Sequence, residues 1–189
     1  MIVYIRHAND DGHNTKYKHD PHITKEGIHN TKKIVKELIY KYGYPKEIYY
    51  SPFRRCIETM KIIMQKLKNK KIRLVCDTNL SRYFTESDKK KPRVSSKTLK
   101  YKIPIYENKK EFHQRIDNHL TKMAKKSNNV WCITHALVYK NISEKLKIHT
   151  NPRIDFLEHF SHNVIDDTVN ELIPMTEKFS VIKNNGKLL

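Results

Sequence analysis

Met1-Ile2-Val3-Tyr4-Ile5-Arg6-His7 opens the chain with an apolar run that stops on a cation and an imidazole. Its aliphatic, aromatic and β-branched residues predict a short buried strand. In an open α/β sheet, ligands bind just beyond the carboxyl ends of the strands. A strand ending in Arg6-His7 therefore delivers a positive charge and a nucleophile or base to the place where a site is expected.

The pattern repeats outward from that strand. After a polar loop, Thr24 reads as a helix N-cap with Glu26 in the first turn, where the helix dipole favours an acid. Ile28, Thr31, Ile34, Val35, Leu38 and Ile39 then recur at helical spacing up to Gly43 and Pro45. Glu47 to Tyr50 predicts a second strand, and Ser51-Pro52 an N-cap with proline at the first helical position. The helix that follows carries Phe53, Cys56, Ile57, Met60, Ile63, Met64 and Leu67 inward and leads to a third strand over 72–76. Such β-α-β-α-β order signals a mainly parallel sheet.

Residues 77 to 107 interrupt the rhythm with Arg82, Glu86, Asp88 and Lys89-Lys90-Lys91, and read as a long insert or lid. Glu111 to Met123 is helical again, and Val130-Trp131-Cys132-Ile133-Thr134 is a fourth strand that ends on His135. Ala136 to Leu146 reads as a helix. Residues 155–160, 164–169 and 179–182 are expected to be short strands, antiparallel at the sheet edge. The fold class is α/β: a three-layer α/β/α sandwich with a mainly parallel sheet and an antiparallel edge, in one domain over 1–189.

Composition narrows the partners. Thirty-eight Lys and Arg against twenty Asp and Glu give +18 over 189 residues, a field that concentrates anions. Cys56, Cys76 and Cys132 form no CxxC pair, so neither a disulfide framework nor a zinc site is expected. No His, Asp or Glu spacing predicts a metal, and no cofactor is expected. Arg6 leaves no room for a signal-peptide apolar segment, and no apolar run approaches the roughly 20 residues of a membrane span. A cytoplasmic protein without membrane association is the expectation.

Three strand ends thus converge on one edge with like chemistry. Arg6, His7, His135 and one of Arg54 or Arg55, with a helix N-terminus, make a pocket suited to phosphate. Ile5-Arg6-His7-Ala8 resembles the Arg-His-Gly signature of the histidine phosphatase superfamily, whose fold is phosphoglycerate mutase-like. Asp20 to Gly27 is similar to the stretch of that family in which Ile-Thr precedes a helix and its glycine. Ser51-Pro52-Phe53-Arg54-Arg55-Cys56-Ile57-Glu58-Thr59 resembles its Ser-Pro-Leu-x-Arg-Ala-x-Gln-Thr block, which selects Arg55 over Arg54. Ile133-Thr134-His135-Ala136 resembles the second-histidine block, and Glu107, Phe112 and Arg115 fit the helix before it. In its Ile-Thr, Arg-Cys and His-Ala details the chain is most similar to the Sts-type phosphatase domains.

The resemblance implies a metal-independent phosphatase that forms a phosphohistidine on His7, with Arg6, Arg55 and His135 as the other catalytic groups. A neutral imidazole is a competent nucleophile toward phosphorus, and fixed cations stabilise the transferring group. The sequence departs from the family twice. Arg82 stands where the proton-donating Glu belongs, which leaves Glu86 as the candidate acid and Asp88 as the next. Asp10 stands where a small hydroxyl or a base is usual, to repel phosphate or to orient an arginine. Asn14 and Arg82 are the substrate-binding candidates. The expected partner is a phosphorylated small molecule or phosphopeptide, and a homodimer is left open. The alternative is a weak or inactive member that binds phosphorylated ligands or nucleic acid through its basic surface. No RNP, KH, zinc-finger or helix-turn-helix signature supports the nucleic acid. A phosphoglycerate mutase is disfavoured, because 77–107 and the C-terminal stretch show no counterpart of the mutase lid and tail.

Overall fold

The computed structural model describes residues 1–12, 16–68 and 71–164. Asn14 and the strands expected beyond Val164 lie outside the described residues. A five-stranded sheet carries the fold, with β1 (Ile2–Arg6), β2 (Glu47–Tyr50), β3 (Arg73–Cys76), β4 (Val130–Thr134) and β5 (His159–His162) in the order β3-β2-β4-β1-β5. The first four strands pair in parallel, and β5 closes the β1 edge antiparallel. The expected strand over 155–160 is thus shifted toward the C-terminus.

Alternation along β1 sorts its side chains between two helical layers. Val3 and Ile5 pack with Val35 and Leu38 of α1 (Lys25–Tyr42) and with Cys56, Met60 and Ile63 of α2 (Arg54–Leu67). Ile2 and Tyr4 face Phe112 and Ile116 of α5 (Lys109–Ala124) and Val138 and Ile142 of α6 (Ala136–Lys145). The three layers follow directly from that two-residue period.

Pairing register then decides the site. Arg6 lies opposite Thr134, so the next residues, His7 and His135, leave the sheet side by side. The His7 amide donates to the Thr134 carbonyl at 2.9 Å, and that of Ser51, after β2, to Ile133 at 3.1 Å. The three strand ends are therefore held in one row by backbone hydrogen bonds.

The insert expected over 77–107 carries short elements of its own: a 3-10 turn (Thr78–Leu80), α3 (Glu86–Lys90) and α4 (Ser96–Leu99) run through it. Phe84, Val94 and Ile103 form a small apolar cluster with Phe53, a long-range contact invisible in local periodicity. One expectation is corrected: Ser51 does not cap α2. The N-cap is Phe53, without a side-chain bond. The capping acceptor comes from another loop: Asp20 Oδ1 takes the Arg54 amide at 2.8 Å. Asp20 is fully buried, and its other oxygen accepts the hydroxyls of Ser95 at 2.6 Å and Thr98 at 2.7 Å. One carboxylate thereby fastens the insert to the start of α2.

On the far side of the pocket, Thr24 caps α1 as expected, accepting the Gly27 amide, while its own amide donates to the Asn9 carbonyl at 2.9 Å. A Cβ on Gly27 would stand 2.5 Å from that carbonyl oxygen and 3.1 Å from the Asn9 nitrogen. Only glycine lets the loop after β1 lie this close to the helix. Gly27→Ala is therefore expected to cost about 1–3 kcal/mol, as overpacking against backbone does, lowering the urea midpoint and displacing Asp10. An unchanged midpoint would show that the loop is not held here.

Candidate active site

Arg55 organises the strand ends. The side chain is 5% exposed, and each of its three nitrogens donates to a different segment. Its Nε reaches His7 Nε2 at 3.0 Å, its Nη2 reaches His135 Nδ1 at 2.8 Å, and its Nη1 reaches the His19 carbonyl at 3.1 Å. A guanidinium can only donate, so both imidazole nitrogens facing it carry lone pairs. The His7 proton is then on Nδ1, which donates to the Ala8 carbonyl at 2.9 Å. His135 carries its proton on Nε2, 2.9 Å from Ser51 Oγ, with the Phe53 ring edge-on at 5.1 Å.

Burial, and next the Arg55 charge, push both imidazoles well below the usual histidine range. His7 is therefore a neutral base with a lone pair aimed at a cation. The helix side is fixed as firmly: Thr59 Oγ1 accepts the Ala8 amide at 3.0 Å and donates to the Arg55 carbonyl at 2.7 Å. Arg6 bonds the Ile154 carbonyl and stacks 3.9 Å over Phe156. Asp10 Oδ2 stands 3.4 Å from Arg55 Nε and 3.8 Å from His7 Nδ1, so of its two expected roles the pairing one is seen. Arg6, His7, Asp10 and Arg55 line a cavity of about 240 Å³, whose lining does not include His135.

The profile of the histidine phosphatase superfamily, branch 1, matches residues 2–166. The chain belongs to this family. Comparison with curated protein sequences gives no match. Solved structures agree in fold. Ecdysone phosphate phosphatase from Bombyx mori, bound to tungstate, superposes with a TM-score of 0.61 at 13% identity, over 84% of this chain and 86% of its own. Phosphoglycerate mutase from Bacillus anthracis gives 0.60 at 17% identity, over 82% and 84%. The protein histidine phosphatase SixA, also with tungstate, gives 0.55 at 13%, over 82% and 83%.

In this member of the superfamily the carboxylates near the cavity are already paired. Glu86 does not reach the cavity; its side chain is 82% exposed and pairs with Lys89 at 2.6 Å, so the structure does not bring the first candidate acid to the site. Asp88 does line it. One of its oxygens accepts from Arg82 Nη2 at 2.8 Å, and the other lies 3.1 Å from His19 Nε2. Burial opposes its charge, but Arg82, the Thr85 amide and His19 together hold the Asp88 carboxyl below the usual range. Burial, and next the nearby Arg55, pull Arg82 down to about 10, so it remains a cation at neutral pH. Arg82 is held from below by Arg115, which donates to the carbonyls of Asn79 and Ser81 while paired with buried Glu107. Sequence reasoning missed His19, whose side chain accepts the Arg93 amide and whose carbonyl anchors Arg55. Only its proximity to Asp20 in a motif block pointed there.

No three His, Cys, Asp or Glu side chains gather as a metal-binding group among the described residues, and none of their helices is long and apolar enough to cross a membrane. Arg54 faces away from the cavity toward His22, at 2.9 Å, and the Tyr17 ring, at 4.9 Å. Arg55→Ala should lower hydrolysis of an aryl phosphate by about 10³-fold, on the scale of losing a fixed charge-stabilising donor. Arg54→Ala should cost little, and the reverse order would put the wrong arginine at the site. A nucleophile below the usual imidazole value of about 6.5 stays unprotonated as pH falls through it. The acidic limb of kcat/KM, corrected for substrate ionisation, should lie below pH 6.5, the ordinary histidine value. A limb at or above that value would contradict the buried neutral His7.

Proposed function

We propose that the protein is a phosphatase that works through a phosphohistidine on His7. The observation that carries this is the tautomer: the Nδ1 proton is held by Ala8, which leaves the Nε2 lone pair facing the cationic pocket. A phosphate oxygen entering the cavity takes over Arg55 Nε–H and frees His7 Nε2 for attack. The P–Nε2 bond forms as the bond to the leaving group breaks and its electron pair departs. Water then attacks phosphorus, the pair returns to the imidazole, and the proton from water passes to a phosphate oxygen. Arg6, Arg55 and Arg82 line the cavity and face the charge that spreads over the phosphoryl oxygens, while His135, expected to be a fourth such group, directs its one N–H at Ser51 and instead holds the Arg55 fork. Tungstate in two of the fold neighbours is consistent with a tetrahedral oxyanion at such a site.

Among the described residues, no free acid stands beside the leaving group. Asp88 and Asp10 are both paired with arginines, and Glu86 points to solvent. A missing general acid is worth about 10²–10⁴-fold with a poor leaving group. The preferred substrates are therefore those expelled unaided: phenyl and acyl phosphates, diphosphates and nitrogen-linked phosphates. The neighbours named for steroid, glycerate and histidine phosphates span both kinds of leaving group and do not choose among them. The Sts-type likeness rests on the Ile-Thr, Arg-Cys and His-Ala details, and an aryl leaving group is compatible with it. The second reading, a weak or inactive member that binds phosphorylated ligands or nucleic acid through its basic surface, draws on the same pairing of Asp88 and Asp10 with arginines.

Rapid quenching at alkaline pH should trap acid-labile phosphate on His7, and His7→Ala should abolish turnover of p-nitrophenyl phosphate. Turnover with no phosphate on His7 would sink the mechanism, and a wild type as slow as His7→Ala would leave the binding reading. Alkyl phosphates should turn over about 10²-fold or more below aryl ones, with Glu86→Gln changing neither. A selective loss on alkyl substrates in Glu86→Gln would restore it as the acid.

A further inference from the structure

A cavity larger than the catalytic one adjoins it among the described residues. It is a groove of about 820 Å³, and consecutive residues divide the two: Pro21 and Arg55 line the catalytic pocket, while His22 and Arg54 line the groove. One wall is α2, with Arg54 and Lys61, and the other is the α4 region, with Lys97 and Lys100. Between these cations lie Pro52, Ile57 and Met60. The single carboxylate in the lining, Glu58, is already bonded to His22 Nδ1 and to the Ile23 amide. Lys61, Lys97 and Lys100 are exposed and have no ion-pair partner among the described residues. The spacing of the walls is set by the buried Asp20, which joins the Arg54 amide to Ser95 and Thr98 around α4. It is a preformed cationic groove with an apolar middle.

We propose that this groove binds an acidic peptide segment that carries an apolar residue between its carboxylates. Three lysines unpaired among the described residues, beside Arg54 and against one carboxylate bonded to His22 and the Ile23 amide, set the sign of the ligand, and the aliphatic side chains set its middle. A nucleic-acid strand fits less well. It presents phosphates in a continuous line, and here Pro52, Ile57 and Met60 stand among the cations; the Tyr50 and Tyr101 rings that also line the groove can stack bases, and the test separates that outcome. Because the groove adjoins the catalytic pocket, the segment is the flank of a phosphorylated residue in a protein substrate. That last step rests on the phosphatase reading, whereas the binding itself does not.

The test uses the full chain and a fluorescein-labelled, unphosphorylated peptide of alternating Glu and Leu, read by fluorescence anisotropy. Wild type and His7→Ala should bind it alike, with affinity that falls as salt rises. The double variant Lys97→Glu/Lys100→Glu, and separately Lys61→Glu, should weaken binding by about tenfold or more, as charge reversal in a complementary site does. Lys32→Glu/Lys36→Glu, on the exposed face of α1, makes the same charge change elsewhere and should bind as wild type does. No binding by the wild type would overturn the groove assignment. An equal loss in the α1 control would show general electrostatics instead. Preferential capture of a single-stranded oligonucleotide through the same lysines would replace the peptide with nucleic acid. Since His7→Ala is read by binding, failure of the phosphatase mechanism leaves this outcome separately visible.

Discussion

One guanidinium holds the candidate site together. Arg55 donates to His7, His135 and the His19 carbonyl, which come from the ends of β1 and β4 and from the loop before α1. A planar, permanently charged fork suits this role, because its donors point in fixed directions and cannot be lost by deprotonation. Burying it requires acceptors for its N–H groups, and the two imidazoles among those acceptors can accept only as neutral bases. The same contacts that satisfy the arginine therefore select the His7 tautomer. The fold of the strand ends and the lone pair at His7 Nε2 are set by one set of hydrogen bonds.

A second constraint holds the first in place. Asp20 caps α2 from a distant loop and bonds the insert at Ser95 and Thr98. Removing such a carboxylate would strand several buried donors at once, each costing about 1–3 kcal/mol. The insert in turn carries Arg82 and Asp88 over the cavity, where they pair with each other. That pairing exchanges a proton donor for a third arginine. On the proposed mechanism, charge stabilisation gains while protonation of the leaving group is lost, which is the basis of the substrate preference proposed above.

Much of the frame was legible in the sequence. The apolar runs ending at Arg6-His7 and Thr134-His135 are strands, Thr24 is an N-cap, and α1, α2, α5 and α6 fall at their periodic positions. These signals are local, since a strand or an amphipathic helix shows its buried face as a period in its own residues. The insert was not legible in this way. Phe84, Val94 and Ile103 bury themselves against Phe53 with no period to announce it.

By itself, the sequence determined which residues end the parallel strands and so which chemistry gathers at one sheet edge. Only the tertiary structure decided how those residues engage: that Ser51 faces His135 and not the helix it precedes, that Asp20 caps that helix, and that Glu86 turns outward while Asp88 turns in. The physical reason is sequence separation. Ser51 and His135 are 84 positions apart, and Asp20 and Arg54 are 34 apart. Such partners meet through sheet register and loop packing, and neither leaves a mark in the residues immediately around them.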